Sequence, residues 1–307
     1  MMSNHVNSSA YWDARFDQDW ETAGGRDQTR FFCSLALRYL PKWLANDLRT
    51  RALSICDWGC AQGDGLDALA ESFPESKLTG VDVAPAAIER ARALFPGHSF
   101  HTLDDLPKDA TFDLVFCSNV LEHFDQPLEL MHQMLQHARR YALVLVPFRE
   151  APRIDEHLST FDYNSFPLRI GAFHLLHFRV IPCASLPKSR WSGEQMLVVF
   201  GHPDHVDLGE YRLQALVQGM ADAEADLRKR LGWLENQLAE VPEKRRALQK
   251  SLERQEELER ALESTRQQLA EARASKAWRL ANRCHAFASG TGLRTVASGL
   301  RSRLTRR

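Results

Sequence analysis

The segment Leu53-Ser-Ile-Cys-Asp-Trp-Gly-Cys-Ala-Gln-Gly-Asp-Gly65 constrains this chain more than any other stretch. An apolar run ends in Asp57, three glycines follow at 59, 63 and 65, and a helical pattern begins. Glycine adopts positive φ freely and lets backbone approach a ligand closely. The N–H groups that open a helix attract an anion or a polar ligand edge. A strand, a glycine turn and a helix in that order form a nucleotide-type binding turn. A phosphate-loop NTPase would need G-K-[ST] after the glycines, and none is present. A dinucleotide site would need G-x-G-x-x-G, whereas the spacing here is G-x-x-x-G-x-G. Asp57 also disfavours a nearby pyrophosphate and suits a cationic part of a ligand.

The surrounding pattern extends this turn into a fold. Apolar runs at Leu53–Trp58, Lys77–Val83, Ser99–Leu103, Phe112–Ser118, Tyr141–Pro147, near His177–Ile181 and at Met196–Phe200 read as strands. Gly65–Phe73, Ala84–Phe95 and Pro127–His137 read as helices between the early ones. Strands alternating with helices predict an α/β parallel sheet, its strands apolar on both faces because helices cover both. The second strand ends Gly80-Val81-Asp82, where an acidic side chain can take both hydroxyls of a ribose.

At these residues the chain resembles the class I S-adenosylmethionine-dependent methyltransferases. Their strand ending D-x-G-C-x-x-G and strand ending G-x-D stand here as DWGCAQG and GVD, followed by the similar helix APAAIERAR. His101-Thr-Leu-Asp-Asp-Leu-Pro107 looks like the turn that holds the adenine. Phe112-Asp-Leu-Val-Phe-Cys-Ser-Asn-Val-Leu-Glu-His123 resembles the fourth strand and its glutamate-histidine signature. Tyr11-Trp12-Asp13 and Gly25–Arg30 resemble an N-terminal lid, so the likeness covers residues 11 to 200. It implies a Rossmann-like, seven-stranded sheet in a domain over 1–205 and S-adenosylmethionine as cofactor. The contacts it implies are Asp57, Gly59, Cys60 through its backbone N–H, Gly63, Asp82, Val83, Leu106, Asn119, His123, and Asp104 or Asp105 at the adenine amino group. The reaction would be displacement of the sulfonium methyl by a nucleophile of the acceptor. Two departures stand out: Arg139-Arg140 replaces the usual Gly-Gly before the fifth strand, and the Gly-Asp before the adenine turn is missing.

His157 lies in the polar segment Asp155–Phe161, after the fifth strand, where relatives face the substrate. A neutral imidazole is a reasonable base for a hydroxyl, and a hinge role is the alternative. Cys56 and Cys117 read as core, and His132 and His137 as structural. His202 and His205 have metal-pair spacing but no third ligand nearby, and no zinc-type spacing of cysteines exists, so no metal is expected. The pattern that marks amino-group acceptors is replaced by Ser118-Asn119-Val120-Leu121, and residues 1–205 carry no basic, aromatic-interleaved patch. Both argue against a nucleic-acid substrate.

After residue 205 the pattern changes. Every seventh residue from Leu213 to Leu269 is apolar except Gln255, while the companion positions from Val217 to Arg266 are only half apolar. A heptad with one good seam predicts a coiled coil over 206–272 that self-associates, with Pro242 kinking it or splitting it in two. From Arg273 to Arg307 the chain holds nine basic residues and no acid, leaving 30 basic against 40 acidic groups in residues 1–272. Ser275-Lys-Ala-Trp-Arg-Leu-Ala281 partly resembles a motif ending many bacterial surface-polysaccharide enzymes, with Ala277 and Ala281 in place of Ser and Thr. That implies O-methylation of a sugar or lipid-linked glycan and a glycosyltransferase as partner. A quinone or natural-product acceptor and a non-catalytic scaffold are the alternatives. With scattered cysteines and no long apolar run, the expectation is a cytoplasmic protein whose basic tail meets the inner membrane face.

Two outcomes are expected. A 60-residue helix rises about 90 Å, so sedimentation should show an elongated oligomer; a compact monomer would contradict the heptad reading. The full chain should pellet with anionic vesicles at low salt, and a chain ending at Ala272 should not.

Overall fold

The computed structural model describes residues 6–211 and 213–274. Three helices precede the sheet: α1 (Ser9–Gln18), α2 (Gly25–Tyr39) and α3 (Lys42–Thr50). The alternating part follows as β1 (Ile55–Trp58), α4 (Asp64–Ser72), β2 (Leu78–Asp82), α5 (Pro85–Leu94), β3 (Ser99–Thr102), β4 (Phe112–Ser118), α6 (Pro127–Gln136) and β5 (Ala138–Phe148). A hairpin region, β6 (Arg169–Ile170), β7 (Phe173–Pro182) and β8 (Glu194–Gly201), completes the sheet, and α7 (Leu213–Ala274) ends the described chain. The residues form two compact units that part between Leu231 and Gly232.

The sheet has the order β3-β2-β1-β4-β5-β8-β7-β6. Its first five strands are parallel, β8 runs antiparallel to β5, and β7 and β6 continue antiparallel. This is a Rossmann-like α/β sheet, with eight strands and not seven. The extra strand, β6, pairs only Arg169 with His174 and Ile170 with Phe173 around Gly171, whose φ is 58°. Two residues are too few to show a period-2 pattern, so β6 left no trace in the sequence.

Alternation along the central strands builds two cores. Ile55, Leu114, Phe116 and Leu143 face one apolar cluster with Phe32, Leu66 and Leu69. Cys56, Val115, Cys117 and Val144 face the other, with Met131 and Met134 of α6. Successive side chains of a strand point to opposite faces, so a parallel sheet covered on both sides must be apolar at every position. Cys33, Cys56, Cys60, Cys117 and Cys183 are all buried free thiols.

Arg139 and Arg140 do not form a turn before β5; they lie within it. Both reach Asp113 at the start of β4, with Arg139 Nη1 at 2.9 Å and Arg140 Nε at 3.2 Å from Oδ1. Asp113 Oδ2 accepts the backbone N–H and the hydroxyl of Ser54 at 3.0 and 2.8 Å. One carboxylate thus ties the starts of β1, β4 and β5 together. The two arginines lengthen β5 because their partner is a strand residue.

The helix α7 continues through Pro242 without a break. Glu240 and Lys244 form an i,i+4 ion pair of 2.7 Å across the proline. Along the second unit, Leu234, Leu238, Val241, Leu248, Leu252, Leu262 and Leu269 are exposed. No helix of the described residues is long and apolar enough to cross a membrane. The basic tail and the Ser275–Ala281 motif lie outside the described residues.

Asp113 generates a stability test. Burial opposes its ionisation, but the Ser54 hydrogen bonds and the Arg139 charge outweigh this and hold its carboxyl below the usual range. A depressed folded pKa stabilises above the unfolded value and is lost as pH falls through the folded one. Asp113→Ala should therefore cost about 3 kcal/mol in urea unfolding at pH 7. The difference should shrink below about pH 4. Because Asp113 lies at the opposite end of β4 from Ser118, ligand binding should persist in the folded variant.

Candidate active site

The glycine turn after β1 is shaped by three positive-φ residues: Gly59 at 82°, Ala61 at 48° and Gly63 at 87°. At Gly59 a Cβ would stand 2.3 Å from a methyl of Val120, and at Gly63 it would strike Phe95 and Phe100, so both positions need glycine. The turn is pinned from β2. Asp82 accepts the Ala61 N–H at 2.9 Å and the Ala84 N–H at 3.0 Å. The Gly59 and Cys60 N–H groups both donate to the Val81 carbonyl, at 2.7 and 3.0 Å.

A cavity of about 270 Å³ opens at this end of the sheet. On one side it is lined by Asp57, Gly59, Ala61, Asp82, Val83 and Asn119. On the other side stand Trp12, Arg15, Trp20, His123, His157 and Trp191. The structure therefore brings Asp57, Gly59, Asp82, Val83, Asn119, His123 and His157 to one cavity. Five expected contacts are not among the lining residues. Cys60 has its N–H committed to Val81 and its side chain buried beside Gly80, so it cannot offer that N–H to a ligand. Gly63 supports the turn from behind. Asp104 and Asp105 point to solvent, with Asp105 bonded to Thr102 at 2.7 Å, and Leu106 is buried in the second core. Leu103 of that loop lines the cavity instead.

Asp57 is buried and receives no hydrogen bond among the described residues, and burial first, then the Asp82 charge, raise its pKa to about 7. Asp82 is raised too, chiefly by burial and against its backbone hydrogen bonds. Two buried carboxylates with one of them unbonded fit a ligand that brings a cation and hydroxyl donors to this wall. S-adenosylmethionine has both, in its ammonium group and its ribose.

The acceptor side is closed by α1. Ser8 caps this helix by accepting the Tyr11 N–H. Ser9 donates to the Val83 carbonyl at 2.8 Å and Asp13 accepts the Ala86 N–H at 2.9 Å, next to the cofactor wall. Tyr11 and Arg15 bond Glu156, and Trp12 stands edge-on to His123 with 5.0 Å between centroids. The first part of the expected lid is thus a helix fastened to both walls, and its second part, α2, is tied to α4 through Arg26 on Asp64 at 2.9 Å.

His157 is buried, with Nδ1 2.6 Å from Glu150 Oε2 and Nε2 3.9 Å from Glu122 Oε1. The Glu150 carboxylate orients the ring through Nδ1, and Nε2 faces Glu122. His123 Nδ1 lies 3.0 Å from the Glu156 carbonyl, and burial lowers its pKa to about 4. Glu122, in the short 3₁₀ turn Leu121–His123, is fully buried, and burial raises its pKa to about 8. Glu122, Glu150, Glu156 and Trp191 were not singled out from sequence. Only Glu122 left a signal, inside the glutamate-histidine signature. His202 and His205 sit 5.7 Å apart, and no third ligand joins them among the described residues.

Comparison with known proteins agrees with this geometry. Residues 56–143 match the family model described as a methyltransferase domain. The trans-aconitate 2-methyltransferase of Deinococcus radiodurans is 26% identical over 124 residues, 39% of this chain and 47% of that protein. That of Methylobacterium nodulans is 28% identical over 82 residues, 26% of this chain and 32% of the relative. The chain thus spans less than half the length of either relative. Among solved structures, magnesium protoporphyrin IX methyltransferase from Synechocystis with bound SAH has a TM-score of 0.46 at 13% identity, covering 64% of this chain and 100% of that one. The motifs of β1, β2 and β4 lie within or beside the stretch that matches the methyltransferase-domain model.

Proposed function

We propose that the protein methylates a neutral, hydroxyl-bearing acceptor, a sugar or lipid-linked glycan, in the cavity that joins Asp57 and Asp82 to His157. That continuity is the observation that carries the reading: one wall suits the cofactor and the other presents the His157 imidazole, oriented by Glu150. When bound, S-adenosylmethionine supplies an electrophilic methyl group on its sulfonium. Asp57 would hold the cationic amino group, Asp82 the ribose, and Gly59 and Val83 the close-approaching backbone. His157, oriented by Glu150, activates the acceptor hydroxyl. The lid residues exclude water and align the acceptor, an effect that can reach about 7–11 kcal/mol.

The lining narrows the acceptor. Its acidic residues are Asp57, Asp82, Glu122 and Glu156, of which Asp57 and Glu122 are raised toward the neutral form, and among the described residues its one arginine or lysine is Arg15, already paired with Glu156 and Asp19. A tricarboxylate such as trans-aconitate would enter an acid-rich cavity with no free cation in its lining. Trp12, Trp20 and Trp191 offer flat apolar faces instead, a surface on which a sugar ring can lie. We further propose that the exposed apolar seam of α7 pairs with a second copy, that the tail docks on the inner membrane face, and that a glycosyltransferase is the enzyme's working partner.

Calorimetry and turnover test these roles. Asp82→Ala should weaken S-adenosylmethionine binding about 100-fold or more, since two charge-assisted hydrogen bonds are worth about 1.5–3 kcal/mol each. Unchanged affinity would remove Asp82 from the site. His157→Ala should lower turnover on a hydroxyl acceptor about 100-fold or more, with cofactor affinity held within twofold. Equal loss of both would assign it to loop order. Asp57 gives a pH test. Its raised pKa means that its contribution to stability is fully present below about pH 3.8 and is lost as pH rises to about 7. Asp57→Asn should therefore raise the melting temperature of the free protein at pH 8, gain nothing at pH 4, and weaken cofactor binding at pH 8.

A further inference from the structure

Glu122 is the group the proposed chemistry leaves unexplained. It is fully buried, and among the described residues neither carboxylate oxygen has a hydrogen-bond partner. Buried carboxylates are ordinarily paired or coordinate a metal, because an unpaired one carries a large desolvation cost. Beside it, a ring nitrogen of His123, a ring nitrogen of His157 and a Glu122 oxygen all lie within 4.8 Å of one another.

The surroundings of the two imidazoles are those of metal ligands. His157 Nδ1 is held by the Glu150 carboxylate at 2.6 Å. His123 Nδ1 is held by the Glu156 carbonyl at 3.0 Å, and that carbonyl is itself fixed by the Asn7 amide at 2.8 Å. Each ring thus has one nitrogen tied to an oxygen acceptor and the other left for a ligand, the arrangement that orients histidine toward a metal and raises its basicity. Glu150 is in turn held by the Ile154 N–H at 3.2 Å.

We propose that Glu122, His123 and His157 bind a divalent first-row transition ion, Zn²⁺ or Mn²⁺, on the acceptor side of the cavity. Two imidazoles and one carboxylate favour such ions over Mg²⁺ or Ca²⁺, which prefer all-oxygen sets. Ligand bonds of about 2.0–2.2 Å require the three donor atoms to draw closer than they stand. The charges of Glu122 and Glu150 balance the ion. Three protein ligands leave a coordination position open, as catalytic sites do. All three residues line the cavity, so a hydroxyl of the acceptor can fill it. The inference rests on the methyl-transfer reading and deepens it: His157 acts on the acceptor through the ion.

The test uses the full-length protein, stripped with a chelator and dialysed, and titrated separately with Zn²⁺, Mn²⁺ and Mg²⁺ by calorimetry. One equivalent of Zn²⁺ or Mn²⁺ should bind per chain, with Mg²⁺ at least 100-fold weaker, and Co²⁺ should develop a visible ligand-field spectrum. Glu122→Gln should weaken uptake at least 100-fold, and Glu150→Gln, which touches no ion, about 10–100-fold. Circular dichroism identifies any variant that has not folded; Glu150→Gln then carries the test alone. No uptake by the wild type, or equal uptake by the folded variants, would overturn the site. S-adenosylmethionine titrated into the same samples separates the two readings: cofactor binding without metal uptake sinks only the ion, and metal uptake without cofactor binding sinks only the methyltransferase reading.

Discussion

Two carboxylates at the ends of neighbouring parallel strands organise the working end of this protein. Asp57 and Asp82 are both buried, and their proximity raises Asp57 beyond what burial alone would do. Asp82 offsets part of its own cost by holding the backbone of the glycine turn through Ala61 and Ala84. Asp57 has no such compensation, so in the free protein it is a source of instability. A residue of this kind persists where its charge is needed by a ligand. The positive φ of Gly59 and the packing of Val120 against it keep the space beside Asp57 open for that ligand.

The acceptor side shows the same logic with different groups. Glu122, Glu150, His123 and His157 form a largely buried ionisable cluster beneath a helix that reaches both walls of the cavity. The contacts of α1 matter because they come from opposite directions: Ser9 reaches Val83 after β2 and Asp13 the first turn of α5, while Tyr11 and Arg15 reach Glu156. A helix fastened in this way couples the order of the cofactor wall to that of the acceptor wall.

Much of this was legible in the sequence, for identifiable reasons. Strands such as Phe112–Ser118 announced themselves because both faces are buried and Leu114, Val115, Phe116 and Cys117 form an unbroken apolar run. Asp57, Gly59 and Asp82 stood out because strand-end acids and a glycine turn have few other uses. The N–H expected of Cys60 is directed at Val81 instead, because the direction of an N–H depends on loop conformation. Asp104 and Asp105 attracted attention as acids near the adenine turn, yet the turn points them outward and presents Leu103. Glu150, Glu156 and Trp191 were invisible because loops bring them from distant positions, and no local period marks a residue placed that way. His157 could be picked out, but its partnership with Glu150 and its closeness to Glu122 could not.

The measurement that bears most directly on the account is the proton balance of cofactor binding. S-adenosylmethionine would be titrated into the full-length protein at pH 6 in buffers of different ionisation enthalpy. The account predicts one cofactor per chain and the release of about one proton, as Asp57 ionises to meet the cationic ligand, with the release fading as pH rises past the group's raised pKa of about 7. No binding, or binding with no proton released at pH 6, would contradict the claim that a buried, neutralised Asp57 is held ready for the cofactor's charge.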